Sequence, residues 1–238
     1  MHKAMVLLIS AVALAGPAVL GQGVPAEGTT RYYVAFLRPD PARKTLSKEE
    51  GERIQKAHMA NIHKMAEDRV LVSAGPFDDT PHTISGIFIF NVDSLEHARE
   101  IAMKDPTVLE HRNTIDVHAW DGPAGVGDEY FRLHKLDQKT PENMQIHPFC
   151  MLFRDKAVVA RPEMLEAHAR YVEKLRAEGK LSAAGNVDGE DELAELIVFR
   201  AIPLEEVQRL LGDDPAVKAG AFKVEYHQWW SADHVLPW

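Results

Sequence analysis

HMANIHKMAEDRVLVSAG, residues 58–75, has a second version in the same chain: HARYVEKLRAEGKLSAAG, residues 168–185. Each begins on a histidine and ends on a glycine seventeen residues later. An Asp-Pro step follows each stretch, at Asp105-Pro106 and Asp214-Pro215, and a tryptophan stands fifteen residues beyond each aspartate, at Trp120 and Trp229. The offsets between the copies are 110, 110, 109 and 109 residues. Four landmarks at a near-constant offset mark an internal duplication, and that sets the domain count before any fold is assigned.

Working outward from the first stretch, Tyr32–Leu37 is a β-branched and aromatic run bounded by Pro39 and Pro41, which predicts a strand. Ser47-Lys48-Glu49-Glu50 is a capping box that opens a helix with Ile54, Ala57, Ile62 and Met65 on one face. Strands are predicted over 70–74, 84–92 and 114–120, and a second helix over 94–104 that stops at Pro106. The second copy repeats the order: strand 149–153, helix 162–178, strands 180–184 and 194–201, helix 204–211, strand 222–230. The fold class is therefore α+β: two tandem ferredoxin-like βαββαβ units, each a four-stranded antiparallel sheet with both helices on one face. The runs Ile87–Phe90 and Ile197–Phe199 are apolar on both faces, so neither sheet's second face is wet. The two sheets are expected to hide these faces against each other as an intramolecular pseudo-dimeric α/β barrel.

The expected organisation is a leader at 1–21, a first unit at 31–121, a surface linker at 122–146, a second unit at 147–230 and a tail at 231–238. The leader has a short basic start, an apolar run from Ala4 to Leu14 and a small-residue exit, and it reads as a signal peptide cleaved near Gly21. Export, to a bacterial periplasm or the exterior, is the expectation, with no integral membrane span after cleavage. Cys150 is the single cysteine, so an internal disulfide is excluded. The net charge of −9 becomes −10 once Lys3 is removed, which argues against nucleic-acid or anionic-membrane partners.

His58 falls four residues after Ile54 and four before Ile62, on the apolar face of its helix. His168 falls three after Leu165 and four before Val172, in the same placement. An inward histidine is compatible with a satisfied core residue, and a duplication copies structural residues too. Asp105 and Asp214 each suit a helix-stop turn as well as a site.

A strand ending in arginine, an inward histidine, Gly75-Pro76 and an Asp-Pro step resemble the YciI-related family of the dimeric α/β-barrel superfamily. The likeness covers residues 32–121 well and 148–230 less closely. It implies a His-Asp pair in a pocket between helices and sheet, His58 with Asp105 and His168 with Asp214. The second copy departs from the pattern: Asn186 stands where the first has Pro76, and the loop before its first helix is six residues shorter.

Such a pair can move protons near neutral pH, with the aspartate fixing the tautomer of the imidazole. Without a nucleophile motif, the chemistry expected is isomerisation, elimination or lactone hydrolysis on a small molecule. The competing reading is a noncatalytic binding or interaction module on the same scaffold. Arg38 and Arg154 end the first strands; they suit a substrate carboxylate, or simply a solvated strand end. His118 and His227 recur at an offset of 109 and are assigned to the inter-sheet or edge surface. His58 and His63 are five apart, a poor spacing for metal ligands on one helix face. No phosphate loop, dinucleotide motif or zinc signature occurs, so no cofactor or metal is expected. Association of the pseudo-dimer into a further homodimer stays open.

Overall fold

The computed structural model describes residues 27–78, 82–136, 143–189 and 192–238; the leader lies outside them. The first unit runs β1 (Thr29–Pro39), α1 (Lys48–Glu67), β2 (Leu71–Pro76), β3 (Gly86–Phe90), α2 (Leu95–Ala102), α3 (Pro106–Leu109) and β4 (Asn113–Pro123). A further helix, α4 (Asp128–Leu136), leads to the second unit. That unit runs β5 (Met144–Arg154), α5 (Pro162–Ala177), β6 (Leu181–Asp188), β7 (Leu193–Phe199), α6 (Leu204–Gly212), α7 (Pro215–Lys218) and β8 (Phe222–Ala232). The βαββαβ order read from the sequence is present twice, with a short helical turn added after each second helix.

Local chemistry accounts for the ends of these elements. Ser47 caps α1 in a full capping box with Glu50, satisfying donors at both positions. Asp105 and Asp214 cap α3 and α7, and each is followed by a proline at the first helical position, where the missing N–H costs nothing.

The strands form one antiparallel array in the order β2-β3-β1-β4-β6-β7-β5-β8. The units therefore do more than stack. β4 pairs with β6 through Ala119–Asp121 and Asn186–Asp188. At the other end, Phe77 bridges to Trp229, and the Asp78 N–H donates to the Gln228 carbonyl at 2.9 Å, which closes the barrel. The recurring glycines explain themselves here. A Cβ on Gly75 would sit 1.8 Å from the Trp230 carbonyl oxygen, and one on Gly185 would sit 2.1 Å from that of Asp121. Each glycine lets a strand of the other unit approach.

Three apolar clusters follow from the two-faced strands. Ile87, Ile89, Leu196 and Val198 point into the barrel with Tyr32, Phe36, Phe149, Trp120 and Trp229. Phe88 and Phe90 pack under the helices of the first unit, and Ile197 and Phe199 under those of the second. Cys150 is fully buried in the latter layer, and burial pushes its thiol up, away from nucleophile chemistry. His118 and His227 face the barrel interior beside Phe36 and Phe77.

The described part of the expected surface linker, 122–136 and 143–146, packs against the barrel instead. Val126 is buried in the barrel cluster, and the Gly125 and Val126 N–H groups donate to the Tyr32 hydroxyl. The tail is tied to it: Gly127 N–H donates to the Val235 carbonyl and Tyr130 N–H to that of His234, at 2.8 and 3.1 Å. The physical reason is apolar content: Val126, Phe131 and Leu236 find cover against the barrel, and Val235 is buried too.

Candidate functional site

In the first unit, α1 aims His58 at the sheet, and its ring lies 5.9 Å from that of Phe88. Its Nδ1 meets the Asp105 carboxylate at 2.8 Å. Asp105 is fully buried and also accepts from Asn61 Nδ2 at 3.1 Å, Thr107 N–H at 2.9 Å and Thr107 Oγ1 at 2.6 Å. Burial pushes this carboxyl up, but the hydrogen bonds from His58 and Thr107 outweigh it and hold the group below the usual carboxylate range. An ionised Asp105 can only accept, so Nδ1 is the ring nitrogen that donates to it. Among the described residues Nε2 has no hydrogen-bond partner, and the His58 side chain is 15% exposed.

His58 forms part of the wall of a cavity of about 450 Å³ between α1 and strands β2 and β3. The wall is mainly apolar, with Met59, Ile62, Val72 and Ile87 among its residues. Among the described residues the Ser73 hydroxyl, also on the wall, is buried without a partner. Tyr130 and Phe131 of α4, Met144 of β5, and Ala232 and Val235 complete it. The first unit's cavity is therefore closed by the interunit helix and by residues of the second half.

A chain of donors runs from this wall toward the aspartate. Ser85 Oγ donates to Asn113 Oδ1 at 2.8 Å, Asn113 Nδ2 to Thr107 Oγ1 at 3.0 Å, and Thr107 Oγ1 to Asp105. Because every donor points the same way, Asp105 is held as an acceptor in one orientation.

In the second unit, His168 Nδ1 meets Asp214 Oδ2 at 2.8 Å, so the same pairing recurs. Its Nε2, however, meets Glu195 Oε2 at 2.5 Å. Burial opposes the imidazolium, but the hydrogen bonds and charges of Asp214 and Glu195 prevail and raise its pKa to about 10. His168 is a buried cation between two carboxylates at neutral pH. By strand register Glu195 pairs with Asn186, as Gly86 pairs with Pro76, so Glu195 occupies the place of Gly86. The other neighbours change too. Where the first unit has Asn61, Ser85, Thr107 and Asn113, the second has Tyr171, Ala194, Ala216 and Phe222. Both His-Asp pairs are brought together, but only His58 of the two presents a free ring nitrogen to a cavity wall.

Neither Arg38 nor Arg154 belongs to that wall. The strand register also separates them: Arg38 pairs with Thr114, whereas the residue facing the matching position Lys223 is Phe153, one before Arg154. Arg38 leans over the Phe36 ring on the barrel side, and the Arg154 guanidinium reaches the Leu193 carbonyl. The residues that sequence reasoning missed are Asn61, Ser73, Ser85, Thr107 and Asn113, with Tyr130 and Phe131 of α4. Aligning the copies position by position would have exposed the first five, because each changes type between copies. Among the described residues no group of three or more His, Cys, Asp or Glu side chains is placed to hold a metal ion.

Fold and site together define a two-unit α/β barrel of the dimeric-barrel kind with one open His-Asp pair. The family model for the YCII-related domain matches residues 32–118 and again 148–230, and the chain belongs to that family. Solved structures of the same fold include a chlorite dismutase variant from Candidatus Nitrospira defluvii. It is 11% identical, with a TM-score of 0.53, over 85% of this chain and 91% of that one. Another, described as a proposed chlorite dismutase, is 11% identical, with a TM-score of 0.52, over 86% and 96% of the two chains. At this identity the likeness is one of fold. No curated protein matches the chain.

Proposed function

We propose that the first unit carries an active site for proton transfer on a small, largely apolar molecule, with His58 as general base and acid. The observation that supports this most is the His58 ring itself: Nδ1 is held by an ionised, buried Asp105 while Nε2 is left open on an apolar cavity wall. In this reading Nε2 takes a proton from carbon or from a water. Asp105 stabilises the imidazolium that forms, and the same proton returns to a second atom of the substrate. Isomerisation, elimination and lactone hydrolysis all fit that cycle. Asn61 and Thr107 are positioning residues that hold Asp105 in place, and Thr107 also helps keep it ionised. Arg38 and Arg154 have no part in this cavity. The His168–Asp214 pair serves as a structural ion cluster. Export through the leader is part of the same proposal, and N-terminal sequencing of the protein from its native host would test it: an intact Met1 would refute it.

Turnover of lactone and chlorinated-phenol panels by the purified protein and its His58→Ala variant tests the chemistry. A drop of about 10²–10⁴-fold is expected for a lost general base. Equal turnover by both would remove His58 from the mechanism.

A further inference from the structure

Resting on the cavity reading, we infer that the molecule bound there carries an anionic group, most simply a carboxylate, which docks in a cationic cleft beside the cavity at Arg43, Lys44 and Arg112. The cleft has a volume of about 680 Å³ and lies under the loop between β1 and α1. Its wall holds those three cations and no carboxylate. Among the described residues none of the three makes an ion pair, although the chain as a whole is acidic. Unpaired cations gathered on one concave surface of an acidic protein attract an anion and raise its local concentration.

The cleft and the cavity adjoin. Gln55, Thr107 and Asn113 belong to the walls of both. A ligand with an apolar body against Ile62 and Ile87 and an anionic end in the cleft would therefore pass the polar donors that support Asp105.

The cationic loop is built rather than loose. Arg43 N–H donates to the Asp40 carbonyl at 3.0 Å, Asp40 N–H donates to the Arg112 carbonyl at 3.0 Å, and the Arg112 guanidinium donates to the Lys44 carbonyl. The second unit lacks the feature. Its loop is only one residue shorter, 155–161 against 40–47, the rest of the spacing difference read from the sequence lying mainly in the longer α1, but Val158 stands where the first unit has Arg43, and Ala221 where it has Arg112. The cations thus accompany the open histidine and are missing where the histidine is plugged.

The test compares 2-naphthoate with its neutral counterpart 2-naphthamide by isothermal titration calorimetry on the whole protein. The wild type should bind the acid about tenfold more tightly, and raising NaCl should weaken the acid alone. In Arg43→Ala/Lys44→Ala, two exposed positions, the preference should fall to about twofold or less with amide binding unchanged. In His58→Ala the charge preference should persist. Equal affinity for acid and amide in the wild type, or an undiminished preference in the double variant, overturns this proposal and leaves the cavity reading standing. Binding of neither probe overturns both.

Discussion

His58 and His168 occupy equivalent turns of α1 and α5, and each meets an aspartate at 2.8 Å. They differ in what surrounds the pair. Around His58, Gly86 contributes no side chain, and Asn61, Thr107 and Asn113 supply donors to or toward Asp105. Around His168, Glu195 takes the second ring nitrogen, and the donors become Tyr171, Ala216 and Phe222. The difference teaches that a His-Asp pair is not a site by itself. One extra carboxylate turns a poised base into a fixed cation, because a group held near pKa 10 has no lone pair to offer at neutral pH.

The largest effects should appear where the units are alike. Gly75→Ala and Gly185→Ala each drive a Cβ into a backbone carbonyl of the opposite unit, at 1.8 and 2.1 Å. Each should cost more than about 4 kcal/mol, at the exceptional end of single substitutions, in urea denaturation. A variant of either kind with wild-type stability would show that the strand seams do not need the close approach.

Next come the histidines, where the units should part. His168→Ala leaves Asp214 and Glu195 buried without their cation and should destabilise by about 3–5 kcal/mol. His58→Ala removes one partner of an aspartate that keeps Asn61 and Thr107, and should cost about 1–3 kcal/mol. Equal losses from the two would contradict the division drawn between them.

Alkaline pH should reveal the same asymmetry. The folded-state pKa of His168 is raised from 6.5 to about 10. Its stabilisation is therefore fully present below pH 6.5 and lost as pH rises through 10. Denaturation midpoints of the wild type should fall over that window, and Glu195→Gln should begin the fall at lower pH. A midpoint flat across the window would show that His168 is not the charged group described. Asp105 behaves oppositely: its pKa is lowered, so its contribution is lost as pH falls through the acid range.

The smallest effect is expected from Thr107→Ala, which copies Ala216 of the second unit into the first. Losing the 2.6 Å hydroxyl bond should cost about 1–2 kcal/mol. The acid limb of the stability profile should move to higher pH as Asp105 becomes easier to protonate, read from denaturation midpoints. An unmoved limb would mean that Thr107 does not tune the pair.

Much of this was legible in the sequence for definite reasons. Duplication exposed His58, Asp105, Gly75 and Trp120 by repetition, and continuous apolar runs such as Ile87–Phe90 showed that both sheet faces are covered. The repeated glycine could be seen but not explained, since its reason is a carbonyl of the other unit. Glu195 escaped notice because it sits inside an apolar strand run and only register places it against His168. The arginine pairing failed for a related reason: β5 and β7 have a register shift beside Phe153, so counting to the last strand residue matched Arg38 with the wrong partner. Helix α4 was hidden by Gly- and Pro-rich flanks that read as linker.

The segment joining β4 to β5 has a consequence for mass action. Two separate chains that build such a barrel must meet, and their assembly weakens on dilution. A tether replaces that encounter with a fixed effective concentration, so the barrel should unfold at a midpoint independent of protein concentration. It also changes what one substitution does. In a barrel of identical chains every change is made twice, and a carboxylate that plugs one pocket plugs both. Within a single polypeptide Glu195 occurs once. One half can give up its pocket to become a charged strut while the other keeps an open histidine.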